Sequence, residues 1–136
     1  MDLIEQLKRD EGLRLTPYKD SVGKLTIGYG RNLADKGISQ SEAEFMLSND
    51  IAETATALVK ALPWVGDLDE VRRGVLENMA FNLGVVGLLR FARTLAMIES
   101  GDYDGASDAM LESKWANQVG ERALRLSEQL RTGEWQ

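Results

Sequence analysis

The sequence predicts an α+β fold that is mostly helical, with a small N-terminal β-hairpin lobe and a larger C-terminal helical lobe. Three observations predict it. Strand-forming residues gather between positions 13 and 34, around a glycine-bearing turn. Elsewhere apolar residues recur at helical spacing. The chain has 136 residues, 43% hydrophobic and 28% charged, which is enough for one domain with a buried core and no covalent staples.

Leu3, Ile4 and Leu7 sit at helical spacing, so residues 3–11 read as a short helix ending at Gly12. Leu15, Tyr18, Leu25, Ile27 and Tyr29 favour strands, and Asp20-Ser21-Val22-Gly23-Lys24 reads as a turn, giving a hairpin or three-stranded sheet. Ser39-Gln40-Ser41-Glu42 fits a capping box before a long helix to about Ala61. Pro63 and Gly66 break it. Asp67-Leu68-Asp69-Glu70 starts a helix to about Leu83, and Gly84 and Gly87 punctuate a short apolar segment. Helices follow at about 92–100, 103–112 and 120–131. The first helix can pack against either lobe.

Composition excludes several chemistries. There is no cysteine, so disulfides, thiolate metal sites and cysteine nucleophiles are absent. There is no histidine, which removes serine–histidine triads and the common zinc sites. No metal and no cofactor are expected. Proton chemistry near neutrality falls to carboxylates, lysines or tyrosines. The net charge of −6 argues against nucleic acid as a partner. Residues 1–31 nevertheless hold six basic and five acidic groups, so the acidity lies in the rest of the chain. The longest uncharged run, Asn78 to Leu89, is too short to span a bilayer, so no membrane insertion is expected. The acidic start, Met1-Asp2-Leu3-Ile4-Glu5, does not read as a signal peptide.

Asp10 and Glu11 occupy the last turn of the first predicted helix, the negative end of its dipole. That placement disfavours a negative charge, which is the setting a proton donor needs. The ordinary reading is an acidic residue frayed into solvent or paired with an arginine. Asp20 is an ordinary turn residue and Thr26 an ordinary strand residue when each is taken singly. As a set they place two carboxyls and a hydroxyl around one short turn. Glycoside hydrolysis needs two carboxyls in different settings, one as acid and one ionised. Thr26-Ile27-Gly28-Tyr29-Gly30 looks like a potassium-channel filter, but no membrane helices flank it.

Asp10-Glu11-Gly12-Leu13-Arg14-Leu15, Tyr18-Lys19-Asp20, Gly23 and Thr26-Ile27-Gly28-Tyr29-Gly30 together resemble the N-terminal signature of the phage-type lysozymes. These are endolysins of the T-even bacteriophage type, in glycoside hydrolase family 24. Asp69 to Arg73, Asn78 to Gly84, Ser113 to Gln118, Glu121-Arg122-Ala123 and Arg131 to Trp135 extend the resemblance over almost the whole chain. It implies a lysozyme-like fold with a cleft between a small lobe at about 13–50 and a helical lobe at about 51–136, with helix 3–11 packed against the helical lobe.

The resemblance also implies a muramidase that cuts the β-1,4 bond between N-acetylmuramic acid and N-acetylglucosamine in peptidoglycan. Glu11 stands at the general-acid position, Asp20 at the second carboxylate and Thr26 at the hydroxyl that helps place water. The T-even relative suggests inversion, which needs carboxyls about 6.5–9.5 Å apart. Gly30, Phe81, Asn82 and Thr94 stand at substrate-side positions, and Arg122 where the family pairs an arginine with the acid. Phe81 also suits core packing. Trp115 and Trp135 read as core.

The chain departs from the T-even pattern in three places. It passes from Leu33 to Ser39 by a short connection where that relative has roughly two dozen more residues. Arg31 replaces a usual histidine, which predicts an altered local charge pair. The acidic charge gives no long-range steering toward an anionic wall.

The implied partners are peptidoglycan glycan strands and a holin-type protein, for a monomer held in the host cytoplasm and acting on the periplasmic wall. The alternatives are a non-catalytic peptidoglycan-binding module of lysozyme-like fold and a hydrolase of a related glycan such as chitin. A purely helical protein–protein domain fits the Asp10-Glu11 pair and the glycine-rich sheet poorly.

Overall fold

Asp2 starts the first helix, α1 (Leu3–Glu11). Its side chain accepts from the Glu5 amide while the Glu5 carboxylate accepts from the Asp2 amide, so two of the orphan donors at this end are satisfied. Gly12 stops the helix with a positive φ of 71°, a conformation other residues adopt at a cost. The computed structural model describes residues 1–136, which form two units, Met1–Met46 and Leu47–Gln136.

In the first unit, β1 (Arg14–Lys19), β2 (Leu25–Gly28) and β3 (Arg31–Asn32) make an antiparallel sheet in the order β1-β2-β3. Tyr18 faces Thr26 and Lys19 faces Leu25, while Arg14 faces Gly28. Four steps along β1 therefore oppose two along β2, so β1 bulges between its ends. Thr26 also pairs with Asn32 on β3, which places it at the centre of the sheet. The β1–β2 turn closes through Asp20 N–H to Lys24 O (2.9 Å) and Gly23 N–H to Asp20 O (3.0 Å).

The expected capping box opens α2 (Gln40–Ala61). Glu42 N–H donates to Ser39 Oγ at 3.2 Å, and Ser39 N–H donates to Glu42 Oε1 at 2.9 Å. The break at Pro63 and Gly66 is a single 3-10 turn, Pro63–Asp67.

Asp69 then caps α3 (Glu70–Leu89) by accepting from the Arg72 amide. Gly84 interrupts α3 with φ 76° and ψ 158°, so the helical run to Leu83 and the apolar segment after it are distinct pieces, as predicted. The chain continues through α4 (Ala92–Glu99), α5 (Tyr103–Leu111), α6 (Lys114–Val119) and α7 (Glu121–Thr132). The predicted helices at 92–100, 103–112 and 120–131 are α4, α5 and α7. The short α6 was not predicted, although its Ser113 cap is visible in the sequence.

The core belongs to the second unit. Leu58, Val75, Leu76, Met79, Leu88, Ile98, Met110 and Leu130 are at most 1% exposed. Polar ties cross it with every buried side-chain atom satisfied. Ser107 and Ser127 exchange hydroxyl-to-carbonyl bonds between α5 and α7, and Gln129 donates to Val71 O. Trp115 is core as expected, edge-on to Phe91. Trp135 is not: it is 62% exposed. Its ring lies on Gly74 of α3, where an added Cβ would come within 2.7 Å, so the tail lays the indole across one helix without enclosing it.

Candidate active site

Glu11 is the last residue of α1, and its carboxyl rests on the backbone of Gly30 in the β2–β3 turn. A Cβ built at Gly30 would stand 2.6 Å from Glu11 Oε2 and 3.0 Å from its Cδ. Lys8, one turn earlier, places its ammonium 5.6 Å from the centre of the Tyr29 ring. Two neighbouring side chains of α1 thus meet two neighbouring residues of one turn.

Asp20 sits just past the other end of β2. Its Oδ1 accepts from Val22 N–H at 3.0 Å and from Lys24 N–H at 2.8 Å, an arrangement typical of aspartate in a turn. Its Oδ2 takes no hydrogen bond from the protein. Thr26 is 3% exposed and donates its hydroxyl to Lys24 O at 2.9 Å. One residue, Lys24, therefore orients both groups through its backbone, by its N–H to Asp20 and by its C=O from Thr26. With its proton spent on Lys24, the Thr26 oxygen is left as an acceptor.

The altered charge pair expected at Arg31 is present. Arg31 Nη1 donates to Glu42 Oε1 at 2.7 Å and to Gly37 O at 3.2 Å. The Arg31 guanidinium, followed by the amide and hydroxyl of Ser39, lowers the Glu42 carboxyl to about 2. Glu42 in turn raises Arg31. This pair ties β3 to the start of α2 across the short 33–39 connection.

The other candidates lie in the second unit. Phe81 is 45% exposed on α3 and lines a hollow of about 270 Å³ with Leu47, Ile51, Asn78, Arg122 and Trp135. Arg122 donates to Asn78 Oδ1 through Nη2 (2.7 Å) and Nε (3.0 Å). Asn78 as the anchor of this guanidinium is not legible in the sequence, because the two residues are 44 positions apart. Asn82 is exposed, and its Oδ1 accepts from Trp115 Nε1 at 2.9 Å. Thr94 is buried in α4 at 4% exposure. No cluster of acidic or other ligand side chains suited to a metal occurs. No single helix is long and apolar enough to cross a membrane.

A mostly helical α+β chain with an N-terminal three-stranded antiparallel sheet is consistent with a lysozyme-like fold. The phage lysozyme family matches residues 8–131, and the chain belongs to that family, which makes it by family a glycoside hydrolase of the peptidoglycan-hydrolysing kind. It is 32% identical over 98% of its length to the pre-baseplate central spike protein Gp5 of Enterobacteria phage T4, of which it spans 28%. It is 30% identical to the probable T4-type lysozyme 1 of Dictyostelium discoideum, covering 95% of this chain and 93% of that one. The endolysin of Acyrthosiphon pisum secondary endosymbiont phage 1 is 34% identical, over 85% of this chain and 80% of its own.

Proposed function

We propose that the chain is an inverting muramidase acting on the bond between N-acetylmuramic acid and N-acetylglucosamine in peptidoglycan. The observation that carries this is the pairing of Asp20 and Thr26 on the backbone of Lys24, with Glu11 held at the opposite end of the same strand. Glu11 gives its proton to the glycosidic oxygen as the bond from that oxygen to C1 breaks. Water attacks C1 from the other face. It is held by the Thr26 oxygen and gives its proton to Asp20 Oδ2, while Asp20 Oδ1 stays bound to the turn amides. Exchange with solvent returns a proton to Glu11 and removes one from Asp20. The inverting outcome is carried over from the family resemblance and needs the two carboxyls about 6.5–9.5 Å apart, with a water between them.

Phe81 offers an aromatic face to the C–H face of a sugar ring. Asn82 spends its carbonyl on Trp115 and keeps its amide N–H groups for an acetamido oxygen. Gly30 is substrate-side by resemblance, whereas Thr94 is buried and offers no side chain to a substrate. The endolysin relative supports a lytic role; a monomer made in a host cytoplasm and released to the wall by a holin-type partner follows from the family resemblance alone.

The test compares clearing of permeabilised Gram-negative cells by the parent and by Glu11→Gln, with folding checked by circular dichroism. Clearing by the parent alone, with new reducing ends from the muramic acid and α-anomers released first, is the expected result. A folded parent that sediments with peptidoglycan and releases nothing would replace the enzyme with a binding module.

A further inference from the structure

We propose that Gly30 is a positioning residue for Glu11: the side chain it lacks is the space that the acid's carboxyl occupies. This rests on Glu11 being the proton donor. Gly30 is one of several glycines with positive φ, and most of them show why a glycine is there without any neighbour. At Gly12, Gly23, Gly28 and Gly37 an added Cβ would meet nothing within 4 Å, so backbone conformation alone accounts for the residue. Gly30 differs. Its φ is +77°, and an added Cβ would also stand 2.6 Å from Oε2, 3.0 Å from Cδ and 3.4 Å from Cγ of Glu11.

The obstruction would fall on the carboxyl group, on Oε2 and Cδ, while Cγ stays at ordinary contact distance. Lys8 places its ammonium over the Tyr29 ring, so a second side chain of α1 meets the same turn. A side chain at position 30 therefore displaces the Glu11 carboxyl from the place it occupies. Displacing a reacting group by about 1 Å costs up to about 100-fold in rate, while binding made elsewhere on the glycan is untouched.

The experiment must separate this contact from the strain of placing alanine at positive φ. Gly37→Ala supplies the control, because Gly37 has φ +68° and open space where a Cβ would go. Both alanine variants are made in the parent and in a Glu11→Ala background, and their unfolding is followed by denaturant titration. Gly30→Ala is expected to destabilise the parent more than it destabilises the Glu11→Ala chain, whereas Gly37→Ala costs the same in both. In the parent background, Gly30→Ala is expected to lower kcat by about 10- to 100-fold, and Gly37→Ala to leave it within about twofold.

Equal destabilisation by Gly30→Ala in both backgrounds, including failure to fold in both, would overturn the proposal. Folding only when Glu11 is removed would support it. The stability cycle does not depend on activity. A parent that hydrolyses nothing, with the coupling intact, would remove the acid role of Glu11 and leave the packing relationship standing.

Discussion

At the scale of single residues, Arg72 shows how much one side chain can do. Its Nε donates to Leu130 O at 2.6 Å and its Nη2 to Arg131 O at 2.9 Å, so it satisfies carbonyls at the open end of α7. Its guanidinium also lies 3.9 Å from the centre of the Tyr103 ring. Arg72→Met keeps the stem and removes the donors. It is expected to cost about 1–3 kcal/mol in denaturant unfolding. Arg72→Lys should recover little, because one ammonium cannot reproduce a planar fork that serves two carbonyls and a ring. Full recovery by lysine would show that charge alone matters there. Asn82 offers a different separation. Asn82→Asp keeps an acceptor for Trp115 Nε1 and removes the amide donors, so it should raise KM for glycan several-fold while unfolding close to the parent. Asn82→Ala should lower stability as well.

At the scale of elements, the Arg31–Glu42 pair joins the short sheet to α2, and its contribution should depend on pH in one direction. The folded Glu42 carboxyl is lowered to about 2 from an ordinary value of 4.5. A depressed carboxyl stabilises the fold fully above its unfolded value and progressively less as pH falls from about 4.5 toward 2. The melting-temperature gap between the parent and Glu42→Gln should be widest near pH 7 and close over that acidic range. An unchanged gap at pH 7 and near pH 2 would show that the pair is only a surface contact. The elements also show what sequence pattern can carry. Both caps of the Ser39/Glu42 box and the Asp69 cap were legible because each rests on residues three apart. The short α6 escaped because six residues make too few turns for periodicity, and its buried Trp115 and Ala116 answer to tertiary neighbours.

At the scale of the whole molecule, charge and composition make two predictions. With a net charge of −6 the chain gains no steering toward an anionic wall. Raising salt from low to physiological concentration should leave lysis of permeabilised cells unchanged or improved, since screening acts on repulsion. A steep loss would mean that a local basic surface governs association. With no histidine or cysteine in the chain, both limbs of the pH–activity profile should belong to carboxylates. Asp20→Asn should lower activity sharply without unfolding the chain, because it removes the acceptor of the water's proton.

The sequence by itself determined the fold class, the first helix and its glycine stop, the hairpin and the family, because each depends on local pattern or ordered motifs. It also named Glu11, Asp20 and Thr26. Tertiary structure decided what those residues touch. Only folding shows that Asp20 and Thr26 share the backbone of Lys24, that Glu11 fills the space above Gly30, that Asn78 grips Arg122 and that Trp135 stays exposed on Gly74. The reason is physical. Caps and turns form between residues a few positions apart, whereas the direction of a side chain depends on elements that the sequence does not place side by side.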